Sequence, residues 1–242
     1  MSFGLQHKQA FIDILRDYQP SPDALQSLRE IPLVIMLGVT ASGRNTIINH
    51  LVNSGKYHFV VSDTTRPPKV RNGSLEQDGV HYNFRNEEDM LAELLQGDFL
   101  EAELIHDQQV SGISIRELEK AVASKKIPIN EVDVGGTVAI KSAKPDTKFF
   151  FIIPPSYKEW LYRLQGREVM SEAEMKNRMH TARNVLKTAL NDSAFIFIVN
   201  DSSHSSSELI DAVVTGREEA YDDTGAREVA SSVLDALESG TH

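Results

Sequence analysis

Residues 31–55 read IPLVIMLGVTASGRNTIINHLVNSG, and their order decides the fold. The run PLVIML is continuous and apolar, which suits a parallel strand buried on both faces. Gly38 and Gly43 follow with the spacing of a phosphate-cradling loop, G-x-x-x-x-G-K-[ST]. From Arg44 onward the apolar residues return to helical spacing, and the stretch stops at Gly55. Strand, glycine-containing loop and helix in that order are the context such a loop needs. Successive backbone N–H groups at the turn and at the helix N-terminus make an anion nest without any side chain. Two letters depart from the pattern. Arg44 stands in place of lysine; it keeps the charge and offers a planar fork of different reach. Asn45 stands in place of the hydroxyl and can lend a carbonyl oxygen to Mg²⁺, while Thr46 lies one residue late.

Outward from this unit, strands are expected at HFVVS, KIPINEVDV, KFFFIIP and FIFIVND. Helices are expected at NEEDMLAELLQG, SIRELEKAVASK, YKEWLYRLQG and SEAEMKNRMHTARNVLKTAL. The alternation predicts an α/β fold with a mainly parallel sheet. Residues 63–86 are irregular, polar and rich in Arg, Lys and Gly, as expected of a small antiparallel lobe or a flap. Residues 1–30 read as a helical extension, its apolar positions divided by QPSPD into two short helices. Residues 216–242 read as an acidic tail, either a peripheral helix or a partly disordered end. The Ser-rich stretch DSSHSSSE, residues 201–208, reads as a loop leading into the last helix, with Ser207 or a neighbour as its N-cap.

Composition narrows the function. The chain has 242 residues, 40% hydrophobic and 25% charged, enough for a core without covalent staples. It has no cysteine, which excludes disulfides, thiolate metal sites and cysteine nucleophiles. Its eight histidines show no paired ligand spacing, which argues against a zinc site. The formal charge of −10 argues against general nucleic-acid binding, whereas a small anion feels local donors more than net charge. The N-terminus lacks the pattern of a secretory signal, and no apolar run approaches a membrane span. A cytoplasmic soluble protein is the expectation.

Beyond the loop, SDTTRPPK, GVHYNF, GDFLEAEL, NEVDVGG, FIIPPS and RLQGR occur in an order that closely resembles the guanylate kinase family, from about residue 32 to 214. The resemblance implies a P-loop kinase fold, with a guanylate-kinase-like domain over residues 31–215. That domain would carry a nucleotide-monophosphate-binding lobe at about 62–115 and a lid at about 163–180. It implies that Gly38, Val39, Thr40, Ala41, Ser42, Gly43, Arg44, Asn45 and Thr46 cradle the phosphates of ATP, with Asn200 and Asp201 beside the adenine. Ser62, Arg66, Lys69 and Tyr82 match the residues that hold the acceptor phosphate, Lys69 replacing a second arginine. Glu101 and Asp133 match carboxylates that read the guanine edge, whose N–H groups are donors to a pure acceptor. Ser114 keeps a base-facing hydroxyl. Arg163, Arg167 and Arg178, with Arg44, match the cations that neutralise the transferring phosphoryl group. Glu131 and Asn45 are the candidate Mg²⁺ contacts.

The departures cluster at residues 111–114, where Ser111 replaces a tyrosine and Ile113 a serine of the family pattern. The expected reaction is transfer of the ATP γ-phosphate to GMP or dGMP, with Mg²⁺ accompanying the ATP. Two alternatives stand beside it. One is a guanylate-kinase-like module that binds a protein or a nucleotide without turnover; the other is kinase chemistry on a different phosphorylated acceptor.

Overall fold

A computed structural model describes residues 4–71, 73–166 and 170–239. In chain order the first elements are α1 (Lys8–Leu15), α2 (Pro22–Leu28), β1 (Val34–Gly38), α3 (Arg44–Asn53), β2 (Tyr57–Phe59), β3 (Asp63–Thr64), β4 (Val70–Arg71), β5 (Ser74–Leu75) and β6 (Asn83–Phe84). There follow α4 (Glu87–Gln96), β7 (Phe99–Ile105), β8 (Gln109–Ser114), α5 (Ile115–Ala123), β9 (Ile127–Glu131) and α6 (Thr137–Ala143). The last are β10 (Lys148–Ile153), α7 (Tyr157–Gln165), α8 (Glu172–Leu190), β11 (Phe195–Val199), α9 (Ser203–Val214) and α10 (Thr224–Ser239). These elements pack as two units. The first comprises Met1–Ile31, His58–Asn130 and Gly136–Thr147; the second comprises Pro32–Tyr57, Glu131–Gly135 and Lys148–His242.

In the second unit β10 lies between β1 and β11, all three parallel. Val34, Ile35 and Met36 of β1, and Phe149 to Ile153 of β10, are fully or almost fully buried. Their unbroken apolar runs are what a sheet covered on both faces demands. Gly38 ends β1 opposite Ile152 at φ 145°, and a Cβ there would stand 2.4 Å from the Ile152 carbonyl oxygen. No other residue fits. The expected strands and helices of this unit are all present, and the acidic tail resolves into α10, which buries Ala226, Ala230, Val233 and Leu237. The Ser-rich stretch departs from expectation. Ser202 is the N-cap and α9 begins at Ser203, so Ser207 is a buried residue of the second turn, its hydroxyl bonded back to the His204 carbonyl. A run of serines favours caps by propensity, but the first of them took the cap and packing carried the rest into the helix.

The first unit holds a sheet of order β6-β3-β8-β7. β7 and β8 form a hairpin whose two turn residues, His106 and Asp107, both have positive φ, at 50° and 59°. Neither β7 nor β8 follows a clean two-residue alternation; the β-bulge between Phe99 and Glu101 interrupts it, and both strands escaped the sequence reading. Helix α6 escaped it as well. Phe11 of α1 joins Met90, Leu94, Phe99 and Val110 in one core cluster, so the N-terminal helices are built into this unit.

Candidate active site

In the second unit, chain direction and backbone geometry shape the loop between β1 and α3. Gly43 is the N-cap of α3 at φ 92°, and the helix has no side-chain cap. The N-caps of α4, α7 and α8, by contrast, are Asn86, Ser156 and Ser171, each with a bonded side chain. Donors at the start of α3 are therefore directed into the loop rather than consumed by a cap. Two side chains pin the loop from outside. Asn200 donates its amide to the Ser42 carbonyl at 2.7 Å, and the buried Trp160 indole donates to the Thr40 carbonyl at 2.8 Å. A Cβ on Gly43 would lie 2.2 Å from the Asn200 amide nitrogen. The Ser42 hydroxyl is buried in the loop without a hydrogen-bond partner.

Beside the loop lies a cavity of about 300 Å³. Gly38, Val39, Thr40 and Arg44 line it from the loop side, Glu131 and Asp133 from the strand end, and Arg178 from α8. Arg44 and Glu131 face each other with Nη2 and Oε2 3.9 Å apart, and Oε2 is a buried acceptor with no hydrogen bond. Two cations and two carboxylates thus surround one space of nucleotide-phosphate size. A second recess of about 550 Å³ is lined by Ala41, Gly43, Thr46, Tyr162 and Arg163 among others. Arg163 is held there by Glu159, which accepts from its Nε at 2.7 Å, and by the Asn200 carbonyl, which accepts from Nη1 at 3.0 Å. A third, of about 260 Å³, adds Asn200 and Asp201. Asn45 is exposed on the first turn of α3 and does not line the cavity that Glu131 lines. Arg167 lies outside the described residues.

In the first unit the acceptor-side candidates form a separate group. Arg66 is buried and makes a two-pronged pair with Glu76, Nη1 to Oε2 at 2.5 Å and Nη2 to Oε1 at 3.0 Å. Burial works against its charge, but the Glu76 carboxylate more than compensates and holds the guanidinium pKa above its ordinary value. Its carbon lies 4.7 Å from the Tyr82 ring centroid, so Arg66 and Tyr82 are brought together. Glu76 also accepts from the Lys69 backbone N–H at 2.9 Å, which fixes the turn after Arg66; the Lys69 side chain is exposed. Glu101 is buried on β7, its Oε1 accepting from the Ile113 backbone N–H at 3.1 Å, and Ser114 is fully buried with its hydroxyl unpartnered. Ser111 turns to Thr64, hydroxyl to hydroxyl at 2.8 Å, with Gln109 3.3 Å away. Ser62 accepts from the Asn130 amide at 3.2 Å.

Glu76, Trp160 and Asn130 escaped the sequence reading. So did Asp63, fully buried and paired to Arg85 at 2.6 Å and Arg116 at 2.8 Å. Trp160 stands at helical spacing from Leu164, but no periodicity marks Glu76, Asn130 or Asp63. The one available signal was the charge of Asp63 and Glu76 within a segment that also supplies arginine.

A family profile described as guanylate kinase matches residues 30–215. Guanylate kinase 1 of Arabidopsis thaliana is 34% identical over 176 residues, 72% of this chain but 44% of its own length, so the chain spans under half of that relative. Guanylate kinase of Corynebacterium diphtheriae is 33% identical over 187 residues, 76% of this chain and 95% of the relative. Among solved structures, guanylate kinase from Anaplasma phagocytophilum superposes with a TM-score of 0.54 at 21% identity, over 84% of this chain and 96% of that one, a likeness of fold.

Proposed function

The chain belongs to the guanylate kinase family, and on that premise we propose that it transfers the γ-phosphoryl group of ATP to GMP or dGMP. An acceptor phosphate oxygen attacks the γ-phosphorus, the bond to the β–γ bridging oxygen breaks, and ADP and the nucleoside diphosphate leave. No general base is required, because the attacking oxygen is already ionised at neutral pH. What remains for the protein is positioning and neutralisation of charge.

The observation that carries this reading is the cavity where Gly38, Arg44, Glu131, Asp133 and Arg178 meet beside the loop. Loop amides and the Ser42 hydroxyl receive the donor phosphates, and Arg44 and Arg178 offset their charge, with Arg163 at the neighbouring recess. The closeness of Arg66 and Tyr82 supports their joint grip on the acceptor phosphate, with Ser62 and Lys69. Glu101 and Ser114 take the guanine N–H groups. The buried, unbonded Glu131 oxygen fits Mg²⁺, which is usually held by one or two carboxylates together with substrate phosphates and waters. Mg²⁺ bound with ATP supplies further neutralisation of the phosphate oxygens. The same proposal takes residues 62–115 as the acceptor lobe, 163–180 as the lid, and the cytoplasm as the place of work. No helix among the described residues is long and apolar enough to cross a membrane.

Purified protein with ATP, Mg²⁺ and a panel of monophosphates, monitored for ADP, tests the reading. Turnover is expected with GMP or dGMP and its loss in Arg66→Ala. Saturable nucleotide binding without ADP would overturn the kinase in favour of a binding module. Turnover with a non-guanine acceptor alone would overturn the base assignment.

A further inference from the structure

Asn130, the next-to-last residue of β9, is 1% exposed, in a stretch whose preceding residue Ile129 is apolar and equally buried. Its amide nitrogen donates to the Val60 carbonyl at 2.6 Å and to Ser62 Oγ at 3.2 Å. The Val60 carbonyl can only accept, so the NH₂ group must be the end that faces it. The other end, Oδ1, is buried with no hydrogen-bond partner. The Val60 N–H meanwhile donates to the Ile129 carbonyl at 2.9 Å, so the strand ladder runs up to residue 60 and the Asn130 side chain extends it to residue 62.

This arrangement decides which way the Ser62 hydroxyl works. Its oxygen accepts from Asn130, which leaves its own proton to be donated elsewhere, and a phosphate monoester offers acceptors only. We propose that Asn130 is a positioning residue for the acceptor phosphate, aiming the Ser62 O–H at it. The inference rests on the assignment of Ser62 given above. The same amide has a cost as well as a use: its NH₂ group satisfies the Val60 carbonyl and reaches Ser62, while Oδ1 is a buried carbonyl without a donor.

The test compares equilibrium binding of GMP with that of guanosine, which lacks the phosphate, in the wild type, Asn130→Leu, Ser62→Ala and the double variant. Asn130→Leu is expected to lower the melting temperature, because the buried Val60 carbonyl loses its donor, to weaken GMP about fivefold, and to leave guanosine unchanged. In the Ser62→Ala background it is expected to add no further loss, since both act through one hydroxyl. A lowered melting temperature with unchanged GMP affinity overturns the inference, as do equal losses for GMP and guanosine or additive losses in the double variant. Asn130→Ala, which adds no bulk, supplies the same comparison if Asn130→Leu does not fold. A wild-type chain that binds no GMP overturns the kinase reading and this inference together; wild-type binding with an indifferent Asn130 overturns the inference alone.

Discussion

Arg44 combines the loop's charge with a specific neighbour. A lysine ammonium is a point charge on a flexible stem, whereas the guanidinium at this position faces Glu131 across 3.9 Å. On the proposed mechanism Arg44→Ala removes a cation acting on the transferring group and should lower kcat/KM for ATP by about 10²-fold or more. Arg44→Lys should keep or raise activity. Steady-state kinetics of the three proteins decides the matter, and equal activity in all of them removes Arg44 from the chemistry. Gly43 is constrained differently. Gly43→Ala must accommodate φ 92° and displace the Asn200 amide from 2.2 Å. A loss of nucleotide affinity is therefore expected with a small change in melting temperature, because the distortion is confined to the loop and its clamp.

At the scale of elements, Asp211 near the end of α9 fastens three segments. It accepts from Lys56 at 2.7 Å, from the buried Tyr57 hydroxyl at 2.9 Å and from Arg217 at 2.5 Å. Burial pushes its carboxyl pKa up, but the hydrogen bonds from Lys56 and Tyr57 outweigh that and hold it below the usual carboxylate value. A depressed folded pKa gives stability that is present above the unfolded value, about 4, and is lost as pH falls through the folded one. Asp211→Asn should therefore be less stable than the wild type at pH 7, by about 2 kcal/mol. The gap should narrow as pH falls below about 4. Urea titrations at pH 7 and pH 3 measure it, and a gap of constant size at both would exclude this carboxylate as a source of acid sensitivity.

Across the whole chain, the two terminal extensions do the same job in different units. β7 is an edge strand of the first unit's sheet, and the Tyr18 hydroxyl both accepts from the Phe99 N–H at 2.8 Å and donates to its carbonyl at 2.9 Å. Burial pushes the Tyr18 phenol up to about 12, so the donating proton is retained. β11 is an edge strand too. There the Phe197 N–H donates to Asp223 at 2.9 Å, its carbonyl accepts from Tyr221 at 3.1 Å, and the Phe195 carbonyl accepts from Arg227 at 2.5 Å. Unpaired edge groups invite pairing with another chain. Removing residues 217–242 should therefore yield a protein that associates with itself. Because the remaining residues still carry a net negative formal charge, that association should strengthen as salt screens the repulsion. Light scattering across an ionic-strength series tests it, and a truncated protein that stays monomeric at high salt refutes the sealing role.

Local pattern determined a great deal here. The apolar runs at residues 33–37 and 149–153, the glycine spacing between them and the α3 pattern specified the parallel layer and its glycine turn. Buried parallel strands need unbroken apolar letters, and two crowded backbone positions admit glycine alone. The motifs likewise named the residue types of the candidate site. What they could not give was which atom each side chain would hold. That Glu76 grips Arg66, that Asn200 clamps the loop through its amide, that Asn130 stands behind Ser62, and that both termini cover sheet edges are consequences of long-range approach. Such contacts carry no period and depend on residues separated by ten to more than a hundred and fifty positions. Only the folded chain brings those groups within hydrogen-bond reach, where burial makes each pairing obligatory.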